Sequence, residues 1–281
     1  MRRIGRALIA LLALGVGYAA FIYLTLPDVR SLRTSNPEST AFIELRMREA
    51  RARGEQPKRI QRWAPYARIS SNLTRAVLVA EDSRFWTHEG IDLDELKESI
   101  EANLERMEFA RGGSTITQQL AKNLYLSPSK NPVRKLRELL IARRLEAELS
   151  KQRILELYLN VVEWGDGIYG AEAAARTYFR KSASQLTAPE AALLAGALTN
   201  ARLLNPAHPT ARLRRRQAMV MGRMGAVTPP VAAGPVIQAP PGVPESEPVP
   251  EIPEVVGPPE ALPGQPVPAP KGPGGTPPGH R

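Results

Sequence analysis

Residues 131–160 read NPVRKLRELLIARRLEAELSKQRILELYLN. Asn131-Pro132 is an N-cap followed by proline at the first helical position, where a missing N–H is no loss. That pair predicts a helix running to about Leu149. Ser150 supplies the next cap and predicts a second helix through Leu159. Two capped helices in succession point to a helical class.

The flanking sequence extends that reading. Ser71 to Ala80 has a cap and an apolar run formed by Leu73, Val77 and Leu78. Asp92-x-x-Glu95 is a capping-box pattern and predicts a helix to Arg106. Ser114 to Leu124 follows Gly112-Gly113 and reads as another helix. Downstream, Thr187-Ala188-Pro189-Glu190 opens a helix through Ala191 to Leu198. A last, very basic helix is expected from Pro209 to Met224, with His208 as its cap. Ser39 to Arg53 has helical composition with many Arg. It reads either as a helix lying on anionic lipid or as a solvated charged helix. No stretch alternates with period 2 over six residues of strand-favouring type. The chain is expected to be mainly α, with long loops at Glu81 to Ile91 and Glu108 to Thr115.

Composition divides the chain in two. The 281 residues hold 38 Lys+Arg against 28 Asp+Glu, net +10, with 27 Pro, 3 His and no Cys. Residues 227–281 contain 18 of the prolines, and five Glu against two basic residues, Lys271 and Arg281, a net −3. Residues 1–226 therefore carry +13. The proline-rich part has too few large apolar residues to offset its ordering entropy, and reads as a disordered, partly polyproline-II tail. Absence of Cys excludes a disulfide framework, a thiolate nucleophile and any Cys-ligated metal. Three His argue against a multi-His metal cluster.

Ala7 to Leu26 is an uncharged run of 20 residues, preceded by Arg2, Arg3 and Arg6. As a helix it reaches roughly 30 Å, the thickness of a bilayer's hydrocarbon core. The basic side predicts a cytoplasmic N-terminus, with Tyr18, Phe21 and Tyr23 toward the outer interface. A cleaved signal peptide ending near Gly17-Tyr18-Ala19 is the competing reading, but the apolar run exceeds the usual length. An exported chain also removes nucleic acid as the partner that a positive charge would otherwise suggest.

Four constellations could carry chemistry. In Glu81-Asp82-Ser83-Arg84-Phe85-Trp86-Thr87-His88-Glu89-Gly90, two carboxylates end an apolar helix, and a carboxylate against apolar surface can serve as a base. In Arg111-Gly112-Gly113-Ser114-Thr115-Ile116-Thr117-Gln118-Gln119-Leu120-Ala121-Lys122-Asn123, backbone N–H groups at a helix start can receive an anion, although the spacing is not that of a P-loop. Arg134, Lys135 and Glu138 share one helix face; as a surface salt-bridge pattern they would be worth little. The block from Glu156 through Tyr158 and Asn160 to Ala175 is rich in small residues and reads as architecture. Ser127-Pro128-Ser129-Lys130 matches S-x-x-K, but neither S-D-N nor K-T-G accompanies it, so it is set aside.

The order and spacing of these blocks from about residue 63 to 224 resemble the family-51 peptidoglycan glycosyltransferases. The string V-V-E-W-G-D-G-I-Y-G looks most like the monofunctional biosynthetic branch. The resemblance implies an all-helical, lysozyme-like domain and the extension of glycan strands from the lipid-linked disaccharide-pentapeptide, lipid II. It implies Glu81 as the base on the acceptor hydroxyl and Glu138 near the donor diphosphate. Lys122, Arg134 and Lys135 would neutralise phosphate charge. Thr115, Gln119 and Asn123 match substrate-binding positions; Asp82, Phe85 and His88 match positions that shape the first site. No cofactor is obligatory, and a divalent cation, Mg or Mn, at Glu138 is admitted.

The organisation that follows is a cytoplasmic N-terminus at 1–6, an anchor at 7–26, a juxtamembrane segment at 27–62, a glycosyltransferase domain at 63–226 and a tail at 227–281. Expected partners are lipid II, the growing glycan strand, membrane lipid and cell-wall synthesis or division proteins. The expected location is the bacterial inner membrane, with the catalytic domain periplasmic. A wall-cleaving enzyme and a non-catalytic scaffold are the competing classes. The cations beside both Glu weigh against the first, since hydrolysis has no diphosphate to stabilise.

Overall fold

The computed structural model describes residues 2–92, 97, 113–129 and 131–227. The expected helix from Asp92 to Arg106 falls largely outside these residues, as do Arg111, Gly112, Lys130 and the proline-rich tail. Helix α1 spans Arg2–Leu24. Its segment Ile4–Leu24 is long and apolar enough to cross a membrane. Leu8, Leu12, Val16 and Phe21 stand exposed, so no other described residue covers this surface.

The C-terminal end of α1 docks on the domain. Arg137 donates to the Thr25 carbonyl at 2.8 Å. Arg144 donates to the Tyr23 carbonyl at 3.2 Å and lies over the Tyr23 ring, 4.8 Å from its centroid. These guanidiniums satisfy carbonyls that the helix end leaves open, and complement its dipole. Beyond α1, Val29 and Leu32 are buried in the same core as Leu155.

Helix α2 covers Ala41–Ala52, α3 Ser71–Glu81, α4 Ile116–Tyr125, α5 Pro132–Glu148 and α6 Lys151–Val161. Asn131 and Ser150 cap α5 and α6 as the sequence predicts, accepting from Val133 and Arg153 N–H groups. Helix α7 is Ala171–Phe179, α8 Ala188–Ala197 with the Thr187/Glu190 capping box, and α9 Ala211–Arg223. The last helix starts later than expected. Thr210, not His208, is its cap: the Thr210 hydroxyl accepts from Leu213 N–H, while His208 lies exposed in the turn before Pro209.

Helix α6 is the central strut. Ile154, Leu155, Leu157, Tyr158 and Leu159 are fully buried, and so is Asn160. Asn160 clasps the Ala64 backbone on both sides, with N–H and C=O bonds of 2.8 Å each. Glu156 accepts from Tyr66 N–H at 2.8 Å. The polar residues of the fourth constellation thus hold neighbouring backbone, in keeping with an architectural block.

A small sheet goes beyond the helical expectation. Strands β1 Ile60–Gln61, β2 Glu163–Gly165 and β3 Ile168–Tyr169 pair in the order β1-β3-β2, parallel for β1 and antiparallel for β2. Strands this short carry no readable alternation. Gly167 makes the turn at φ +71°, where a Cβ would meet the Lys58 carbonyl at 2.6 Å. Helix α4 packs between α5 and α6, while α3 packs with α8 and α9.

Candidate active site

The site forms where α3 ends and α4 begins. Asp82 closes α3, and its fully buried carboxylate accepts from Ile116 N–H at 2.9 Å. An anion at the N-terminus of α4 complements the helix dipole and fixes α3 against α4. His88 Nε2 lies 3.0 Å from both Asp82 oxygens, and its Nδ1 accepts from Gly90 N–H at 3.1 Å. That pattern places the ring proton on Nε2, facing Asp82. Phe85 is fully buried, with the Lys151 ammonium 4.6 Å from its ring centroid. Thr115 caps α4 and donates to the Gly90 carbonyl at 2.7 Å. Asp82, His88 and Thr115 therefore tie the loop after α3 to the start of α4, and with buried Phe85 they form the floor of the site.

Glu81 emerges half-buried from this floor. Gln119 Nε2 donates to its Oε2 at 2.9 Å. Burial pushes the Glu81 carboxyl above its usual range; the Gln119 bond and the charges of Arg216 and Lys122 oppose the shift, while Asp82 adds to it. A carboxylate with a raised pKa is a stronger base than one on the surface.

On α5, Glu138 is not the surface ion pair its spacing suggests. It is buried, with one oxygen 2.5 Å from Arg134 Nη1 and the other paired with Lys135 Nζ. Lys135 also donates to Gln118 Oε1 at 3.0 Å, which ties α5 to α4. Arg134 Nε donates to the Ser129 carbonyl at 2.5 Å, anchoring the loop before α5.

Lys122 stands on α4 within electrostatic reach of both clusters. It is half-buried and makes no ion pair among the described residues. Burial holds its ammonium below the usual lysine range, with Arg134 and Lys135 acting in the same direction and Glu138 and Glu81 opposing. A partly desolvated cation without an ion-pair partner is suited to an anion. Asn123, next on α4, is buried.

The transglycosylase family model matches residues 49–225, the whole of this constellation included. The chain belongs to the transglycosylase family. It is 50% identical over 202 residues to the biosynthetic peptidoglycan transglycosylase of Aromatoleum aromaticum, covering 72% of this chain and 86% of that protein. The protein of the same description from Herminiimonas arsenicoxydans is 47% identical over 195 residues, 69% of this chain and 84% of the relative. That from Thiobacillus denitrificans is 42% identical over 230 residues, 82% of this chain and 97% of the relative.

Of the expected site residues, the structure brings Glu81, Gln119 and Lys122 together, and separately Arg134, Lys135 and Glu138. Sequence reading missed Arg216, whose guanidinium acts on Glu81 from α9 and is steered by a 3.0 Å bond to the Gly196 carbonyl. It lies in a run of arginines that reads only as a basic helix. Gln118, which receives Lys135, was overlooked beside Gln119. Asp82, His88 and Asp92 lie close enough to hold a metal ion. In the structure Asp82 accepts from Ile116 N–H, His88 Nδ1 from Gly90 N–H and Asp92 from Arg84, bonds that tie the end of α3 to the following loop and to α4.

Proposed function

We propose that this transglycosylase polymerises lipid II into β-1,4-linked glycan strands, with inversion at the donor carbon and release of the lipid diphosphate. The observation that carries the proposal is Lys122, a half-buried ammonium without an ion-pair partner among the described residues, set between the base Glu81 and the Glu138–Arg134–Lys135 cluster. An α-linked donor and a β-linked product imply one displacement. Glu81 takes the proton of the acceptor 4-hydroxyl as its oxygen bonds to the donor C1. The bond from C1 to the diphosphate oxygen breaks, and its electron pair leaves on the diphosphate. That charge is met by Lys122, Arg134 and Lys135. Glu138 holds the last two in place beside the leaving group.

A divalent cation at Glu138 fits poorly, because both of its oxygens are already engaged by Arg134 and Lys135.

The apolar run of α1 and the basic residues in its first turns support a single-pass anchor in the inner membrane, with a cytoplasmic N-terminus and a periplasmic domain. Docking of α1 on α5 keeps Glu138 on the helix that meets the anchor, suited to a lipid-borne donor. Purified full-length protein in detergent, given lipid II, should yield long glycan. Given sacculi, it should release no soluble muropeptides; release without polymer would favour a wall-cleaving enzyme instead.

A further inference from the structure

Beyond the residues that meet substrate, α6 contributes one polar atom to the site. Tyr158 is fully buried, and its hydroxyl donates to Gln119 Oε1 at 3.1 Å. The other end of the same amide donates to Glu81 at 2.9 Å. Three helices are thereby joined in one line, Tyr158 on α6, Gln119 on α4 and Glu81 on α3.

An amide has a donor end and an acceptor end of nearly equal size, and only its hydrogen bonds decide which end faces where. An ionised Glu81 only accepts, so it takes the amino end of Gln119. The carbonyl end then faces the buried Tyr158 hydroxyl, which donates to it and anchors the amide. With the hydroxyl removed, that end has lost its anchor and the amide is free to turn away from Glu81. We infer that Tyr158 is a positioning residue for the base: its buried hydroxyl fixes the orientation of the Gln119 amide, and so the hydrogen bond that Glu81 receives. This rests on the reading of Glu81 as the acceptor's base.

The consequence is a pH effect with a defined sign. The Gln119 donor favours the charged form of Glu81 and opposes the upward push of burial. Loss of Tyr158's hydroxyl should raise the Glu81 pKa further. Among the described residues, the other charged groups acting on Glu81 are Lys122 on α4, Arg216 on α9 and Asp82 beside it, and none of them is altered by the change.

The test uses full-length protein in detergent micelles with labelled glutamate carboxyls, the Glu81 signal being assigned by its absence in Glu81→Gln. Tyr158→Phe keeps the ring and should move the Glu81 titration upward by roughly 0.5–1 pH unit. Gln119→Met should produce a similar shift, and the double variant no more than the single. With lipid II as substrate, the acidic limb of kcat/KM should move upward in step. An unchanged Glu81 titration in folded Tyr158→Phe, or fully additive shifts, would overturn the inference. Should Tyr158→Phe fail to fold, an unchanged titration in Gln119→Met would overturn it equally. Absence of polymerisation by the wild type would count against the proposed reaction, while the carboxyl titration still decides the positioning role.

Discussion

The guanidinium of Arg134 lies 2.5 Å from an oxygen of Glu138, on a carboxylate whose side chain is 4% exposed. A second nitrogen of the same guanidinium holds the Ser129 carbonyl. A lysine cannot make both contacts, since its single ammonium lacks the planar fork. Arg134→Lys should lower kcat/KM for lipid II about tenfold or more, the scale of one lost charge-assisted hydrogen bond. Steady-state kinetics with circular dichroism as a folding control would check it.

Lys122 gives a prediction of opposite signs for activity and stability. Its folded pKa is held below the ordinary lysine value by burial, so the charged form costs stability at neutral pH. That cost is present below the folded pKa and fades as pH rises through the unfolded value. Lys122→Met should melt at the same or a higher temperature at pH 7, yet lose about tenfold or more in kcat/KM. Inorganic pyrophosphate, a stand-in for the leaving group, should inhibit wild type more strongly than this variant.

Glu81 predicts the pH profile. Its carboxyl titrates above the usual range because of burial. The acidic limb of kcat/KM should therefore fall at a pH above about 4.3, the value of an unperturbed Glu. The linkage has the matching sign: as pH rises through the unfolded and then the folded pKa, ionising Glu81 lowers stability. Glu81→Gln should thus melt at an equal or higher temperature at about pH 7.5, with the difference fading below about pH 4. A lower melting temperature for the variant at neutral pH would contradict it.

Asn160 tests the architecture apart from the chemistry. Asn160→Ala leaves the N–H and C=O of Ala64 without their partners in a buried setting. The cost should be about 2–5 kcal/mol, from two unsatisfied backbone groups. Chemical denaturation would measure it.

The helices around Asn131, Ser150 and Thr187 were legible because their caps are local chemistry, written in two to four adjacent residues. The cap of α9 lies two positions beyond the expected His208, at Thr210, whose hydroxyl accepts from Leu213 N–H; two candidate caps flank Pro209, and the sequence alone does not separate them. The β1–β3 pairing was illegible because it joins residues about a hundred positions apart, and the β2–β3 hairpin because its strands are only two or three residues long. At the site, the face shared by Arg134, Lys135 and Glu138 followed from helical spacing. Its burial did not, because burial depends on α4 packing over it. Arg216 was hidden for the same reason: only the packing of α9 on α3 and α8 distinguishes it from its neighbouring arginines. Asp82, Phe85, His88 and Thr115 are expected at the substrate's site; that Asp82, His88 and Thr115 also tie the loop after α3 to the start of α4 was not readable from spacing, because those bonds join residues up to 34 positions apart.

The central claim is that Glu81 is the base that activates the acceptor hydroxyl during glycan polymerisation. The direct measurement is polymer formation from lipid II by full-length wild type and by Glu81→Gln at matched concentration, resolved by chain length. The account predicts long glycan from the wild type and a loss of roughly 10²–10⁴-fold or more in the variant, with the fold intact. Robust polymerisation by Glu81→Gln would contradict it.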